Sequence, residues 1–292
     1  MIDIRFWGVR GSIAAAGPAT AGVGGNTSCV EVRGPGREII VLDAGTGLRA
    51  LGAALDGEAA PLSVHLFVSH FHWDHIQGFP FFTPAFRPTT ELAIYGPERC
   101  AGPSGDIRRA FEAQMRAPHF PVGLDAMRAR LRFRALPAGI EVAVGAMRVR
   151  AGAARHPNGC LAYRIDCGGR SLVYATDTEH DPQSGAVDAA LVELARGADV
   201  LVYDAQYTSA EYDGRLGGPC RHGWGHSTPD EGARLADAAG VGQLVLFHHD
   251  PAHDDAEVAR IERDAAARRP GTIAAREGLR LRLEPRAGAD AA

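Results

Sequence analysis

The 292-residue chain contains no lysine: all 31 of its Lys+Arg positions are arginine. A P-loop needs a lysine at its phosphates, a Schiff-base enzyme needs a reactive amine and a protein kinase needs its strand lysine, so all three are excluded. Cysteine is scarce. Cys29, Cys100, Cys160, Cys167 and Cys220 are odd in number and widely spaced, with no C-x-x-C pair, which excludes a disulfide framework and a zinc ribbon. No run approaches 18 uncharged apolar residues, and the opening MIDIRFWGVRGS has no basic segment followed by a long apolar one. These absences predict a soluble, cytoplasmic protein with no membrane partner. A formal net charge of -4 gives no overall attraction to nucleic acid or anionic lipid.

What the chain does have is histidine, 12 in all, the side chain most used for metal binding and for proton transfer near neutral pH. With 46% hydrophobic residues it can also build a substantial core. Short apolar or β-branched runs bounded by Gly or Pro predict strands at Ile2 to Trp7, Ser28 to Val32, Glu38 to Leu42, Val64 to Val68 and Leu92 to Tyr95, read as a largely antiparallel sheet. A second set is predicted at Met127 to Ala135, Ala146 to Ala151, Leu161 to Cys167, Ser171 to Ala175, Val200 to Tyr203, Gln243 to Phe247 and Leu279 to Leu283. Helical periodicity falls at Leu48 to Leu55, Asp106 to Met115, Ala186 to Ala195, Thr228 to Ala239 and Asp254 to Arg268, the fourth opened by the cap-like Ser227, Thr228, Pro229. Two strand sets with interspersed helices predict an α/β, four-layer αββα sandwich. It is read as one domain over 1–284, with a lid-like insertion at about 97–131 and a flexible tail over 285–292.

The sharpest chemical signal is S-H-F-H-W-D-H, which places His70, His72, Asp74 and His75 directly after an apolar strand. Two histidines two apart at a strand end point to the same side and can grip one ion, while Asp74 and His75 on the following turn can reach a second. His156, Asp177 and His248 each lie just past another predicted strand. In a layered sheet protein such ends converge on one edge, so these residues complete a ligand set.

On these motifs, and on G-G-N-T-S at 24–28, L-D-A-G-T-G at 42–47, H-P-N-G at 156–159, T-D-T at 176–178, G-H-S-T at 225–228 and the H-x-D-P region from His248, the chain resembles the metallo-β-lactamase fold superfamily. Within it the resemblance is to the RNase Z-like phosphodiesterase branch. The resemblance implies an αββα fold with a dinuclear site at one sandwich edge. His70, His72 and His156 would hold one metal, Asp74, His75 and His248 the other, and Asp177 would bridge them. Ligation by nitrogen and oxygen alone suits Zn²⁺ and also admits Mn²⁺ or Fe²⁺. Two such ions lower the pKa of a bridging water and neutralise both the attacking and leaving oxygens at phosphorus, with Asp74 able to orient the nucleophile. In RNase Z-like enzymes the histidine of G-H-S-T sits beside the scissile phosphate, supported by an upstream carboxylate. The matching residues are His226 and Asp204, the latter one methylene shorter than the usual glutamate.

RNase Z proper carries a long tRNA-gripping arm where this chain has twenty residues between His156 and Asp177, so a long nucleic acid is not expected. In the insertion, His119 and Phe120 are candidates for contact with a base, and the run 211–224 is a second candidate wall. Arg10 of G-V-R-G-S is a candidate phosphate contact. The alternating Arg128, Arg130, Arg132 and Arg134 read as a solvated face, because without lysine every cationic face must be arginine. G-V-R-G-S, G-G-N-T-S and W-G-H-S-T are similar to compact phosphodiesterases of small cyclic phosphates, including the anti-Pycsar enzymes, whose relatives are commonly homodimers. The expected activity is therefore hydrolysis of a small phosphodiester, most plainly a cyclic nucleotide. A lactone or thioester hydrolase of the same fold and a non-catalytic nucleotide-binding sensor stand as alternatives.

Overall fold

The computed structural model describes residues 1–98, 106–181 and 183–286. Part of the expected insertion, including Cys100, and the end of the expected tail lie outside the described residues. One sheet is built from β1 (Ile2–Gly8), β2 (Cys29–Arg33), β3 (Glu38–Leu42), β4 (Leu62–Phe67), β5 (Thr90–Pro97), β6 (Arg130–Leu136) and β14 (Arg280–Leu283), in the order β14-β1-β2-β3-β4-β5-β6. The other contains β7 (Glu141–Val144), β8 (Met147–Ala154), β9 (Cys160–Cys167), β10 (Arg170–Ala175), β11 (Val200–Asp204), β12 (Gln243–Phe247) and β13 (Ile273–Ala274), in the order β13-β12-β11-β10-β9-β8-β7. The helices are α1 (Gly47–Leu55), α2 (Ile107–Gln114), α3 (Ala189–Ala195), α4 (Ser209–Tyr212), α5 (Pro229–Ala239) and α6 (Asp255–Arg268).

Each sheet is antiparallel on one side and parallel on the other. Pairings from β14 to β3 and from β7 to β10 are antiparallel; those from β3 to β6 and from β10 to β13 are parallel. This corrects the expectation of a largely antiparallel first sheet. Its physical source is the crossover helices: α1 returns the chain from β3 to β4 and α2 from β5 to β6, and such connections make neighbours parallel. The same crossover takes β6 out of the second strand set and into the first sheet, and β14 likewise closes against β1.

Strands covered on both faces read as continuous apolar runs because alternate side chains enter different layers. In β3, Ile40 and Leu42 join the core between the sheets while Ile39 and Val41 face α1; in β12, Val245 and Phe247 point inward while Leu244 and Leu246 face α5. Leu48, Leu51, Ile107 and Phe111 seal one outer layer, and Leu191, Leu235 and Ile261 the other, giving the αββα order. Three predicted helix starts are the capping residues themselves: Asp106, Thr228 and Asp254 each accept a backbone N–H from the first turn. Within the expected insertion, α2 buries Ile107 and Phe111, so it forms part of an outer layer. At the other end, Arg286 is tied to Gly168 O and Asp199. Among the described residues no helix is long and apolar enough to cross a membrane.

Candidate metal centre

The parallel halves of the two sheets bring the carboxyl ends of β3, β4, β10, β11 and β12 to one edge, and each end delivers a polar residue there. Asp43 follows β3, His70 follows β4, Asp177 follows β10, Asp204 ends β11 and His248 follows β12. The turn Trp73–His75 is a single 3-10 turn that carries Asp74 and His75 inward. All five non-glycine residues with positive φ among the described residues flank this edge: Ser12 (61°), Asp43 (62°), Asn158 (68°), Asp177 (51°) and His248 (61°). Left-handed backbone at such residues is held by surrounding structure, and its concentration here is a mark of a built site.

The seven candidate ligands fall into two groups. His70, His72 and His156 form one; Asp74, His75, Asp177 and His248 form the other, with ligand atoms in each group within 4.8 Å of one another. Asp177 faces both groups. Its Oδ1 lies 3.7 Å from His70 Nε2 and 3.8 Å from His156 Nε2, while its Oδ2 lies 3.2 Å from both His75 Nε2 and His248 Nε2.

The donor set fits divalent cations. His75 Nε2 and His248 Nε2 oppose each other at 3.3 Å, as do His72 Nδ1 and His156 Nε2 at 3.1 Å, and the buried His70 Nε2 has no hydrogen-bond partner among the described residues. Converging imidazole nitrogens with lone pairs repel unless a cation lies between them. The outer nitrogens are anchored: His75 Nδ1 to Asp43 at 2.8 Å, His156 Nδ1 to Gly225 O at 2.8 Å and His70 Nδ1 to Ser69 Oγ at 3.1 Å. Such partners fix the ring and leave Nε2 free to ligate.

Electrostatics point the same way. Burial pushes the His70 and His156 imidazoles below their usual pKa, favouring the neutral form a ligand requires. Burial opposes the charges of Asp177, Asp74 and Asp43 at His75, yet these carboxylates hold its affinity for positive charge well above normal. Burial likewise opposes His248, His75 and His70 at Asp177, and they keep its carboxyl well below the usual range. A metal ion would displace the proton from His75 and take over this field.

Asp43 was not singled out in the sequence. Its fully buried carboxylate accepts from the Ser69 N–H at 2.6 Å, Ser69 Oγ at 2.8 Å, Tyr174 Oη at 2.7 Å and His75. The signal available was an aspartate in L-D-A-G-T-G at a strand end. Ser12, from G-V-R-G-S, donates its N–H to Asp74 Oδ2 at 2.8 Å.

Beside the candidate ligands, His226 Nδ1 donates to Asp204 Oδ2 at 2.9 Å and its ring stacks on His248, centroids 5.1 Å apart. Asp204 Oδ1 accepts from the N–H groups of Gln206 and Ser227, so the carboxylate is fixed. Burial opposes protonation of His226, but the Asp204 charge and hydrogen bond, with Asp177 and Asp74, raise its pKa to about 9. With Nδ1 turned to Asp204, Nε2 faces a cleft of about 460 Å³ lined by Ser12, Phe71, His72, Trp73, Asp74, Asp177 and His226.

Three candidates are not brought into that cleft. His119 is exposed and Phe120 packs edge-on against Phe81 at 5.7 Å; both line a neighbouring groove of about 790 Å³ that shares Phe71 and Trp73 with the cleft. Arg10 corrects the sequence reading. It is fully buried, with Nε bound to Gly24 O at 2.8 Å and Nη1 to the carbonyls of His253 at 2.6 Å and Asp250 at 3.1 Å, so it ties loops together and meets no open surface. The stripe Arg130, Arg132 and Arg134 lies on β6, with Arg130 paired to Glu91.

Residues 38–249 match the family described as the Beta-lactamase superfamily domain. An uncharacterized protein of Mycobacterium leprae (strain TN) is 33% identical over 228 residues, covering 75% of this chain and 70% of its own length. The ribonuclease Z of Synechococcus sp. (strain WH7803) is 29% identical over 310 aligned positions, covering 89% of this chain and 92% of its own. Among solved structures, a diphosphatase from the PhnP family shares the fold with a TM-score of 0.70 at 16% identity, over 98% of this chain and 99% of that one.

Proposed function

The chain belongs to the Beta-lactamase superfamily domain family, and from that premise we propose that it is a dinuclear metal phosphodiesterase acting on a small phosphodiester, foremost a cyclic nucleotide. His70, His72 and His156 would hold one divalent ion and Asp74, His75 and His248 the second, with Asp177, whose two oxygens face the two groups, available to both. Zinc is the first candidate and Mn²⁺ or Fe²⁺ the others. When bound, two such ions polarise the phosphoryl group and acidify water.

One observation carries the reaction class: the His226–Asp204 pair at 2.9 Å, set on the cleft wall beside the ligand groups. A leaving alkoxide needs a proton. With Nδ1–H held by Asp204 and a pKa of about 9, His226 carries its second proton on Nε2, toward the cleft, at neutral pH. Asp74, fixed by the Ser12 N–H at 2.8 Å, orients the attacking water. A thioester hydrolase has less need of such an acid, because a thiolate leaves without a proton. The names ribonuclease Z and diphosphatase borne by the relatives both denote hydrolysis at phosphorus.

Substrate size is supported by the surface. Between His156 and Asp177 the chain forms only the hairpin β9–β10, with no extended arm. The adjoining groove of about 790 Å³, with walls including Phe71, Trp73, Phe81 and Phe120, falls within the range of small-molecule sites and offers an aromatic seat to a base.

The test is a panel of cyclic nucleotides, bis-p-nitrophenyl phosphate, lactones and thioesters offered to metal-stripped and reconstituted protein. Metal-dependent opening of a cyclic nucleotide is expected. Lactone or thioester turnover with no phosphodiester cleavage would replace this reading with an acyl hydrolase, and tight nucleotide binding without product would replace it with a sensor.

A further inference from the structure

We infer that Glu179 is a positioning residue for the metal centre: its carboxylate braces the 223–225 loop so that the Gly225 carbonyl holds the ring of His156. The inference rests on the metal-centre reading above and assigns a role to a residue outside the ligand set and the acid pair.

Glu179 stands two residues beyond Asp177 and is only 3% exposed. Among the described residues no arginine or histidine forms an ion pair with it. Its charge is met by three donors instead. Oε1 accepts from the Gly223 N–H at 2.8 Å and from the Tyr212 hydroxyl, and Oε2 accepts from the Gly225 N–H at 3.0 Å. A buried carboxylate without a cation is costly unless several donors converge on it, so this placement is a demanding one to keep.

What it holds is a segment with little stiffness of its own. Gly223 and Gly225 have φ of 82° and 83°, the left-handed region, where glycine moves easily. Gly225 also has to come close: a Cβ there would lie 2.3 Å from His156 Nδ1 and 2.3 Å from Pro157 Cδ. From this close approach its carbonyl accepts the His156 Nδ1–H at 2.8 Å. That bond puts the proton on Nδ1 and the lone pair on Nε2, which faces His72 Nδ1 at 3.1 Å. His226 is the next residue, its ring centroid 5.1 Å from that of His156, so the same brace reaches both halves of the site. The segment from Asp177 to Glu179 thus provides a ligand at one end and, at the other, the support for a second ligand from a different loop.

Loss of an outer partner of a ligating histidine typically weakens metal binding ten- to a hundredfold. In Glu179→Gln, one carboxylate acceptor is replaced by an NH₂ facing a peptide N–H, which displaces the loop. Competition titrations of the metal-stripped chain with Zn²⁺ or Co²⁺ against a chelator are expected to show two binding steps in the parent protein. Glu179→Gln should weaken one step by about tenfold or more and leave the other within about twofold. Tyr212→Phe, which spares both peptide bonds to the carboxylate, should leave both steps unchanged. A Glu179→Gln protein with both steps intact, or with both lost equally, would overturn the inference; the second outcome describes general loosening.

Should that variant not fold, nitrogen NMR of the metal-free parent chain decides, with His156 assigned against His156→Gln. A proton on Nδ1 is expected, and a proton on Nε2 overturns the inference. If the parent chain takes up no metal, the metal-centre reading fails while the tautomer still tests the brace.

Discussion

Asp204 Oδ2 lies 2.9 Å from His226 Nδ1, joining the fully buried end of β11 to a histidine on the cleft wall. An aspartate suffices here because its other oxygen is fixed by the N–H groups of Gln206 and Ser227, which turn the carboxylate toward the ring. The pair stands beside the ligand groups, and Asp204 is already committed to His226. On the proposed reading this pair serves proton transfer and not metal holding, and because both residues also lie with Asp177 and His248 in a group whose ligand atoms are within 4.8 Å of one another, the separation has to be measured.

His226→Ala is expected to lower kcat for phosphodiester cleavage by about 10²- to 10⁴-fold, the usual contribution of a positioned acid. Metal content, read by plasma emission, should remain at the parent value. A variant that loses an ion along with its activity would make His226 a ligand and remove it from proton transfer.

The pH profile carries a sign. The pKa of His226 is raised to about 9, chiefly by Asp204 acting against burial, so the acid form is populated below that pH and lost above it. Activity should therefore fall on the alkaline side as that acid form is lost. Asp204→Asn removes the charge that raises the pKa, and the alkaline limb should move toward neutrality, provided folding and metal content are retained. An unmoved limb would assign that ionisation elsewhere.

How much of this could be read from the residues alone depends on what each signal encodes. The candidate ligands His70, His72, Asp74 and His75 announce themselves because they fall within one six-residue run. His156, Asp177 and His248 are legible as polar residues just past apolar strands, and the helix starts as capping residues. Sheet membership of β6 was not legible, since an alternating strand does not state whether its neighbour is sequential or reached through a crossover. Arg10 misled for a related reason: a charged residue in a glycine-bounded loop reads as exposed, whereas here backbone carbonyls from distant segments hold its Nε and Nη1 in the interior. Asp43 and Glu179 were silent because their roles are defined by long-range hydrogen bonds to Ser69, Tyr174, Gly223 and Gly225, which leave no local pattern.

Asp43 should be structural as well as supportive of His75. Asp43→Ala removes a fully buried carboxylate and leaves the Ser69 N–H and hydroxyl, the Tyr174 hydroxyl and His75 Nδ1 without their acceptor. Breaking a buried network of this kind costs about 3–5 kcal/mol. Urea unfolding of metal-free protein would show it as a lower midpoint at unchanged slope. A loss below about 1 kcal/mol, the typical worth of a single hydrogen bond, would mean the site relaxes around the deletion.

Replacing Trp73 should separate binding of the base from chemistry. Its side chain is 77% exposed between His72 and Asp74, where the cleft and the apolar groove meet. A large indole left open to water at that junction contributes little to the core, so its replacement should leave the fold intact. Stacking of a base on an aromatic ring is worth about 1–3 kcal/mol, which corresponds to roughly five- to 150-fold in affinity. Trp73→Ala is therefore expected to raise KM for a cyclic nucleotide within that range, with kcat changed by no more than a few fold, because neither the ligands nor His226 is touched. Initial-rate measurements across substrate concentration resolve the two parameters. If kcat collapses while KM holds, Trp73 shapes the 3-10 turn that carries Asp74 and His75, and the base must be seated elsewhere.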